Sequence, residues 1–378
     1  MKNEDEKFMR RAVSLSLRGS GNPSSLRRVG IVVVAGGQLS LQQFGSERGE
    51  ASTLQSILDQ CGGRCEGASI YSNVEPWNEE DTDATLSRLI AASPSRLVVG
   101  VWDSSPADRS WISERLRRAG VAIDVGVCED ECRRVNEAFL KYRATGSPFV
   151  TLKFAQSLDG RLATASGNSQ WISSPASLKL AHQLRCEHDC VMVGIGTVLA
   201  DDPQLTVRLV DGRNPLRVVV DSRLRVPIGA RLLREGAHLT LIATTPSADR
   251  ERASELEAIG AEVLTTQAGP HKSAVDLQFL LREIGRRGVA SVLVEGGAGL
   301  ITSLLAERLA DRMVVVVAPK ILGRGVEAIG DLGISRLDQA ITFSSVRTFK
   351  LGPDMVFDGL LAYDACQSTR GEPANSSR

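Results

Sequence analysis

The stretch VGIGTVLADDPQLTVR, Val193 to Arg208, gathers side chains whose types can do chemistry. Asp201 and Asp202 can hold or move a proton, Thr197 offers a hydroxyl, and Arg208 presents a planar fork of donors suited to an anion. The strand-like run Cys190–Val193 meets Gly194 and Gly196, so the expectation is a strand that gives way to a loop. Asp202-Pro203 reads as the turn that shapes this loop, because aspartate bonds nearby backbone and proline fixes the next φ.

A second concentration is VEGGAGL, Val294–Leu300. The surrounding pattern predicts a strand (Val289–Val294), a turn through Gly296, Gly297 and Gly299, and a helix with Leu300/Leu304 and Ile301/Leu305 at i, i+4. Glycines at a helix start let a phosphate approach unpaired amides, although glycines also serve tight packing. The pattern is not G-x-G-x-x-G, so no Rossmann domain is implied. In SQWISSPASLKLAHQLR, Ser174 and Pro175 read as N-cap and first helical residue, with Leu178, Ala181 and Leu184 facing a core. By local pattern alone Arg185 is a solvated helix residue, Lys153 a strand-edge lysine and Trp171 an aromatic core filler.

These residues need elements to position them. The chain has 378 residues, which predicts two or three domains, and strand and helix patterns alternate throughout, which predicts α/β architecture. In the first half VGIVVV and the following AGGQLSLQQF read as a hairpin, Ala51–Leu58 as a helix and Arg96–Trp102 as a buried strand. Trp111–Gly120 reads as a short helix and Val121–Val127 as the next strand. The punctuation ATGSPF marks a boundary, giving domains 1–146 and 147–365 and a polar tail, 366–378, expected to be disordered.

Composition excludes several classes. Lys plus Arg equal Asp plus Glu at 45 each with no basic block, which argues against a nucleic-acid binder. No apolar run is long enough to span a bilayer, and the acidic start MKNEDEK is neither a signal nor a transit peptide. Seven cysteines, an odd number, fit reduced thiols in a cytoplasmic protein better than a disulfide framework. The pairs Cys61/Cys65 and Cys128/Cys132 read as small buried hydrophobes. The run HQLRCEHDC crosses from a helix into a strand, so His182, Cys186, His188 and Cys190 are expected to diverge rather than share a metal.

From Phe149 onward four motifs occur in order: TLKFAQSLDGRLA, SQWISSP, VGIGTVLADDPQLTVR and VEGGAGL. Together they resemble the reductase domain of the bifunctional riboflavin-pathway deaminase–reductases, over roughly Pro148 to Tyr363. The resemblance implies a dihydrofolate-reductase-like α/β fold and reduction of 5-amino-6-(5-phosphoribosylamino)uracil to its ribitylamino counterpart with NADPH. It assigns Ala155, Trp171, Thr197, Asp201, Ser222 and the segment Gly297, Ala298, Gly299, Leu300, Ile301, Thr302, Ser303 to the cofactor. Ser169, Arg185, Leu205, Arg208 and Glu295 fall to the substrate. Asp201, then Lys153, are the candidates for proton transfer, and Arg223 for choosing NADPH through its 2′-phosphate.

The first half resembles the cytidine-deaminase-type α/β/α domain of the same family, where a His and two Cys hold zinc and a Glu shuttles protons. Here GEASTLQ puts Glu50 at the His position and Ser52 at the Glu position, and NVEPWNEEDTDATL puts Trp77 at the first Cys. The first histidine of the chain is His182, so the expectation is a deaminase fold with no zinc and no deaminase activity. A homodimer through the reductase domains follows by family analogy, and a reductase without deaminase activity needs a separate deaminase as partner. The alternatives are a reductase acting on a related phosphorylated pyrimidine, or a non-catalytic partner of a separate deaminase.

Overall fold

The computed structural model describes residues 2–19, 24, 26–46, 53–77, 82–103, 105–267 and 274–363. The chain divides into two units: Met1–Ser147 with Gly288–Ala290, and Pro148–Arg287 with Ser291–Arg378. The tail 366–378 lies outside the described residues.

Unit 1 runs α1 (Lys2–Ser16), β1 (Arg28–Ala35), β2 (Gln38–Ser46), α2 (Thr53–Cys61), β3 (Ser69–Val74) and α3 (Thr82–Ala91), then β4 (Arg96–Val101), α4 (Pro106–Arg118), β5 (Ala122–Val125), α5 (Glu129–Val135) and α6 (Glu137–Thr145). Its five strands lie in the order β2-β1-β3-β4-β5. The expected hairpin is β1–β2, turned at Gly36 and Gly37, both in the left-handed region. Alternation along β1 divides the side chains between two cores. Val29, Ile31 and Val33 join Leu54, Ile57, Leu86, Leu89, Ile112 and Leu116 from α2, α3 and α4. Val32 and Val34 face Phe8, Met9, Ala12 and Leu15 of α1. A Cβ at Gly30 would stand 2.0 Å from the Ala12 carbonyl oxygen, so only glycine lets α1 lie this close to β1.

Unit 2 begins with β6 (Phe149–Ser157), β7 (Arg161–Thr164), α7 (Pro175–Glu187), β8 (Cys190–Gly194), α8 (Ile195–Asp201), β9 (Leu216–Val220) and α9 (Arg231–Arg234). It continues with β10 (Thr240–Thr244), α10 (Arg250–Ala258), β11 (Glu262–Thr265), α11 (Leu277–Arg286), β12 (Ser291–Glu295), α12 (Ala298–Ala306), β13 (Arg312–Ala318), β14 (Gly325–Glu327), β15 (Thr342–Leu351) and β16 (Asp354–Ala362). Nine strands form one sheet, β11-β10-β9-β8-β12-β6-β13-β16-β15, parallel from β11 to β13 and antiparallel in the last two pairings, β13–β16 and β16–β15. After β6 the chain steps outward through β8 to β11, then returns to lay β12 and β13 on either side of β6. Such reversals leave a crevice at the carboxyl ends of parallel strands, where open sheets bind ligands.

Helix boundaries follow local chemistry. Asp276 caps α11 by accepting the Phe279 amide at 2.8 Å, and Leu277, Leu280, Leu281 and Ile284 form its buried stripe. Pro175 opens α7 as expected, but the Ser174 hydroxyl makes no capping bond; the Ser174 amide and Ser177 hydroxyl both donate to Asp354 instead, at 2.8 and 2.6 Å.

Three expectations need correction. Residues 195–201 are a helix rather than the start of a loop, with Ile195 and Val198 turned into the core and left-handed Asp202 ending it. The run RVVVDSR reads as a strand over Arg217–Arg223, but β9 stops at Val220, because the buried Asp221 carboxylate accepts the amides of Arg223 and Val226 at 3.4 and 2.8 Å and turns the chain. Cys61 and Cys65 are disulfide-bonded rather than reduced: α2 ends at Cys61, and the left-handed Gly62–Gly63 turn brings the two Cα atoms to 5.9 Å, within bridging range.

Candidate active site

The register of the central strands sets the first pair of groups. Glu295 is the last residue of β12 and stands opposite Lys153 of β6 in a parallel ladder, so both side chains leave the same face. Arg185, near the end of α7, meets Glu295 from the helix layer. Its Nε and Nη2 donate to the two carboxylate oxygens at 2.6 and 2.7 Å, and Nη1 donates to the Thr206 carbonyl at 3.1 Å. Burial pushes Glu295 up, but Arg185, Lys153 and His182 outweigh it and hold the carboxyl below its ordinary range. Burial lowers Lys153, only partly offset by Glu295.

These groups line a cleft of about 880 Å³ confined to unit 2. Leu178, His182 and Arg185, at i, i+4 and i+7 of α7, form one wall. A second wall is Gly296–Leu300 with Ser303, where β12 turns into α12. Gly296 and Gly297 have φ of 81° and 72°, and a Cβ on either would approach the Thr197 hydroxyl at 3.1 or 3.3 Å. Gly299 has no neighbour within 4 Å of such a Cβ, and no side chain caps Gly297. The amides of Ala298, Gly299 and Leu300 are therefore open to an anion at the positive end of the helix dipole. Trp171, 68% exposed, stands on the lining with its carbonyl held by Lys320 Nζ at 2.7 Å.

The third wall is the segment after α8. It is fastened at alternate residues: the Arg231 amide donates to Asp202 (2.8 Å), Gln204 donates to both Glu235 oxygens (3.0 Å each), and the buried Arg217 donates to the Gln204 carbonyl (3.3 Å). Further along, the Arg208 amide donates to His182 Nδ1 at 3.0 Å. That bond requires an unprotonated Nδ1, and burial together with Arg185 and Arg208 pushes His182 down to about 4. Leu205 holds a φ of 56°, in the left-handed region, and is buried at the cleft. Burial raises Asp201, partly offset by a hydrogen bond from Ser169.

Most residues singled out from sequence meet here: Lys153, Ala155, Ser169, Trp171, Arg185, Thr197, Asp201, Leu205, Arg208, Glu295, Gly297 to Leu300, and Ser303 all line the cleft. Three do not. Ile301 is fully buried in the core and its amide donates to the Gly297 carbonyl. Thr302 turns its hydroxyl to the Ala298 carbonyl and accepts the Gly330 amide. Ser222 follows β9 away from the lining, its carbonyl taken by the Thr245 hydroxyl, and Arg223 beside it is exposed. The cleft also contains His182, Gln204 and Arg231, which the sequence reading left out. The i, i+4, i+7 spacing with Leu178 and Arg185 was the available signal for His182.

The remaining candidates for metal binding point elsewhere. His188 donates from Nδ1 to the Leu184 carbonyl (2.7 Å) and bonds Thr151 through Nε2 (3.0 Å), Cys186 faces the Asp211 carbonyl, and Cys190 is buried in β8. In unit 1, Glu50 and Ser52 lie outside the described residues. Trp77 is buried, 1% exposed, edge-on to Trp102 with ring centroids 5.7 Å apart. Arg27 donates to the carbonyls of Glu75 and Trp77 at 2.7 Å each, fixing the backbone around that indole. Among the described residues no group of three His, Cys, Asp or Glu side chains is arranged to hold a metal ion, and no helix is long and apolar enough to cross a membrane.

Comparison with known proteins places this geometry. Residues 148–357 match the RibD C-terminal domain family. The riboflavin biosynthesis protein RibD of Aquifex aeolicus is 36% identical over 93% of this chain and 97% of its own, and that of Escherichia coli 32% identical over 93% and 98%. Among solved structures, Acinetobacter baumannii RibD is 30% identical with a TM-score of 0.80, covering 96% of this chain and all of its own. A diaminohydroxyphosphoribosylaminopyrimidine deaminase/5-amino-6-(5-phosphoribosylamino)uracil reductase from Thermotoga maritima is 26% identical with a TM-score of 0.76, covering 96% of this chain and 99% of its own. Unit 1 has the deaminase-like and unit 2 the reductase arrangement of these proteins. The chain therefore belongs to the RibD family of riboflavin-biosynthesis deaminase–reductases, and its second unit is a reductase of that family.

Proposed function

We propose that the protein reduces 5-amino-6-(5-phosphoribosylamino)uracil to 5-amino-6-(5-phosphoribitylamino)uracil with NADPH and has no deaminase activity. The observation that carries this reading is one cleft holding both an uncapped, glycine-lined helix start and a buried Lys153–Glu295–Arg185 cluster beside Arg208. The fit to a dinucleotide rests on Gly296, Gly297 and Gly299, where side chains would fill the cradle, and on the open amides of Ala298 to Leu300.

NADPH, when bound, supplies the hydride for the sugar C1′. The chain's own residues hold the substrate and manage a proton. Arg208 takes the substrate phosphate, while Arg185 is kept rigid by Glu295 so that it orients the pyrimidine end. Leu205 and Leu178 give the cleft apolar walls that exclude water. Asp201 is the proposed proton donor: burial raises it, so it holds a proton more readily than an exposed aspartate. Lys153, lowered by burial, is second, since it gives up a proton more readily than a solvated lysine. Residues 1–146 then form a deaminase-derived domain and 147–365 the reductase domain of a cytoplasmic homodimer, with a separate protein supplying deamination. Support for a retired first domain comes from Trp77, whose indole fills the volume beside Trp102 where the family resemblance puts a zinc-binding cysteine.

Titration with NADPH, read by energy transfer from Trp171, tests the cofactor assignment together with zinc analysis of the purified chain. Saturable transfer lost in Trp171→Leu, with less than one zinc per ten chains, supports the reading. Stoichiometric zinc, or transfer indifferent to Trp171, contradicts it.

A further inference from the structure

Arg208 does not stand alone. Arg231, the first residue of α9, lines the same cleft beside Pro203 and Gln204, and its charge is felt at Arg208 as a like-charge repulsion. Its backbone N–H donates to the Asp202 carboxylate, so the side chain starts from a fixed point on the cleft wall. Among the described residues neither Arg208 nor Arg231 forms an ion pair with a carboxylate. Arg208 spends one nitrogen on the Thr206 hydroxyl at 2.5 Å. The nearby carboxylate, Glu235, has both oxygens engaged by Gln204. Arg185, the remaining cation of this corner, is already neutralised by Glu295. Glu235 still attracts Arg208 through space, but the corner carries two guanidinium groups with no carboxylate ion-paired to either, both lining one cavity.

A phosphate monoester near neutral pH has close to two negative charges and three terminal oxygens. One arginine neutralises one charge and occupies two oxygens, so a single Arg208 leaves the anion half-satisfied in a partly desolvated site. From this we infer that Arg231 is a second phosphate ligand, and that the pair Arg208/Arg231 sets the preference for a phosphorylated substrate over its dephosphorylated form. The inference rests on the proposed reductase reading. The substrate's phosphate is favoured over the cofactor's 2′-phosphate because Arg231 flanks the segment that carries Leu205 and Arg208, whereas the glycine turn lies on a different wall.

The test measures kcat/KM for phosphorylated and dephosphorylated phosphoribosylamino-pyrimidine, and for NADPH and NADH, in wild type, Arg231→Ala, Arg231→Lys and Arg234→Ala. Arg231 and Arg234 are both exposed on α9, but Arg234 does not line the cleft, so its variant controls for loss of general positive charge. The expected result is a fall of roughly ten- to a hundred-fold in the phosphorylated-to-dephosphorylated ratio for Arg231→Ala, the worth of a charge-assisted hydrogen bond. Arg231→Lys recovers part of the ratio, and Arg234→Ala keeps it. A ratio unchanged in Arg231→Ala overturns the inference while leaving the reductase reading intact. A loss of NADPH-over-NADH preference instead assigns the arginine to the cofactor and also overturns it. If wild type reduces neither pyrimidine, the reductase reading fails first and takes this inference with it.

Discussion

Replacing Glu295 with Gln isolates the charge of the buried pair at nearly constant shape. The two side chains are 10% and 12% exposed, and two bonds of 2.6 and 2.7 Å join them. Removing one partner of such a pair leaves the other charge uncompensated, which costs about 3–5 kcal/mol. Gln keeps one acceptor for Arg185, and the Thr206 carbonyl still receives Nη1, so the lower end, about 3 kcal/mol, is expected. In a unit of this size each kcal/mol lowers Tm by about 2–4 °C, giving a drop of about 6–12 °C. Arg185→Met with Glu295→Gln removes both charges, and the double variant should recover about 2 kcal/mol over the sum of the singles. Hydrogen exchange at the β12 amides assigns the loss to unit 2 rather than unit 1. Acid supplies an independent check. Because Glu295 sits below its ordinary value of 4.5, its contribution is full above that pH and disappears as pH falls through the lower folded value. Wild type should lose this increment on acidification and Glu295→Gln should lack it. A single variant within 1 kcal/mol of wild type, or strictly additive doubles, would refute the reasoning.

Other substitutions probe other parts of the account. Trp77→Ala empties a buried site against Trp102 and should cost about 3–5 kcal/mol in unit 1 by urea unfolding; a loss below about 1 kcal/mol would show that the indole is not packed. Gly296→Ala forces a left-handed alanine against Thr197 and should cost about 1–3 kcal/mol while weakening NADPH binding, measured by calorimetry. The His182 ring should titrate near 4 by NMR, and because the folded value lies below the ordinary 6.5, its stabilising effect is complete above 6.5 and fades as pH falls towards 4. His182→Ala should raise KM more than it lowers kcat, with His182→Asn restoring an acceptor for the Arg208 amide; equal damage from both would point to packing alone.

Much of the architecture is legible in the chain because strand periodicity and glycine punctuation are local signals. The β1–β2 hairpin, the strand–turn–helix at Gly296–Gly299 and the start of α7 at Pro175 are all written in adjacent residues. Helix α8 was hidden because Gly194 and Gly196 suppress helix propensity over a run of only seven residues, and burial of Ile195 and Val198 decides it. The early end of β9 depends on an aspartate accepting amides two and five residues ahead, which competes with the apolar run before it. The cleft residues that sequence reading passed over share one cause: their role comes from contacts across the fold. His182 reaches an amide 26 residues away, and Arg231 a carboxylate 29 residues away. No local pattern carries such pairings.

The central claim is a reductase without a deaminase, and parallel turnover tests it most directly. The purified chain is given NADPH with either the deaminated or the non-deaminated phosphoribosylamino-pyrimidine, and oxidation of NADPH is followed alongside ammonia release. The account predicts NADPH oxidation with the deaminated compound only, and ammonia from neither. Ammonia released from the non-deaminated compound, or no NADPH oxidation with either, would contradict it.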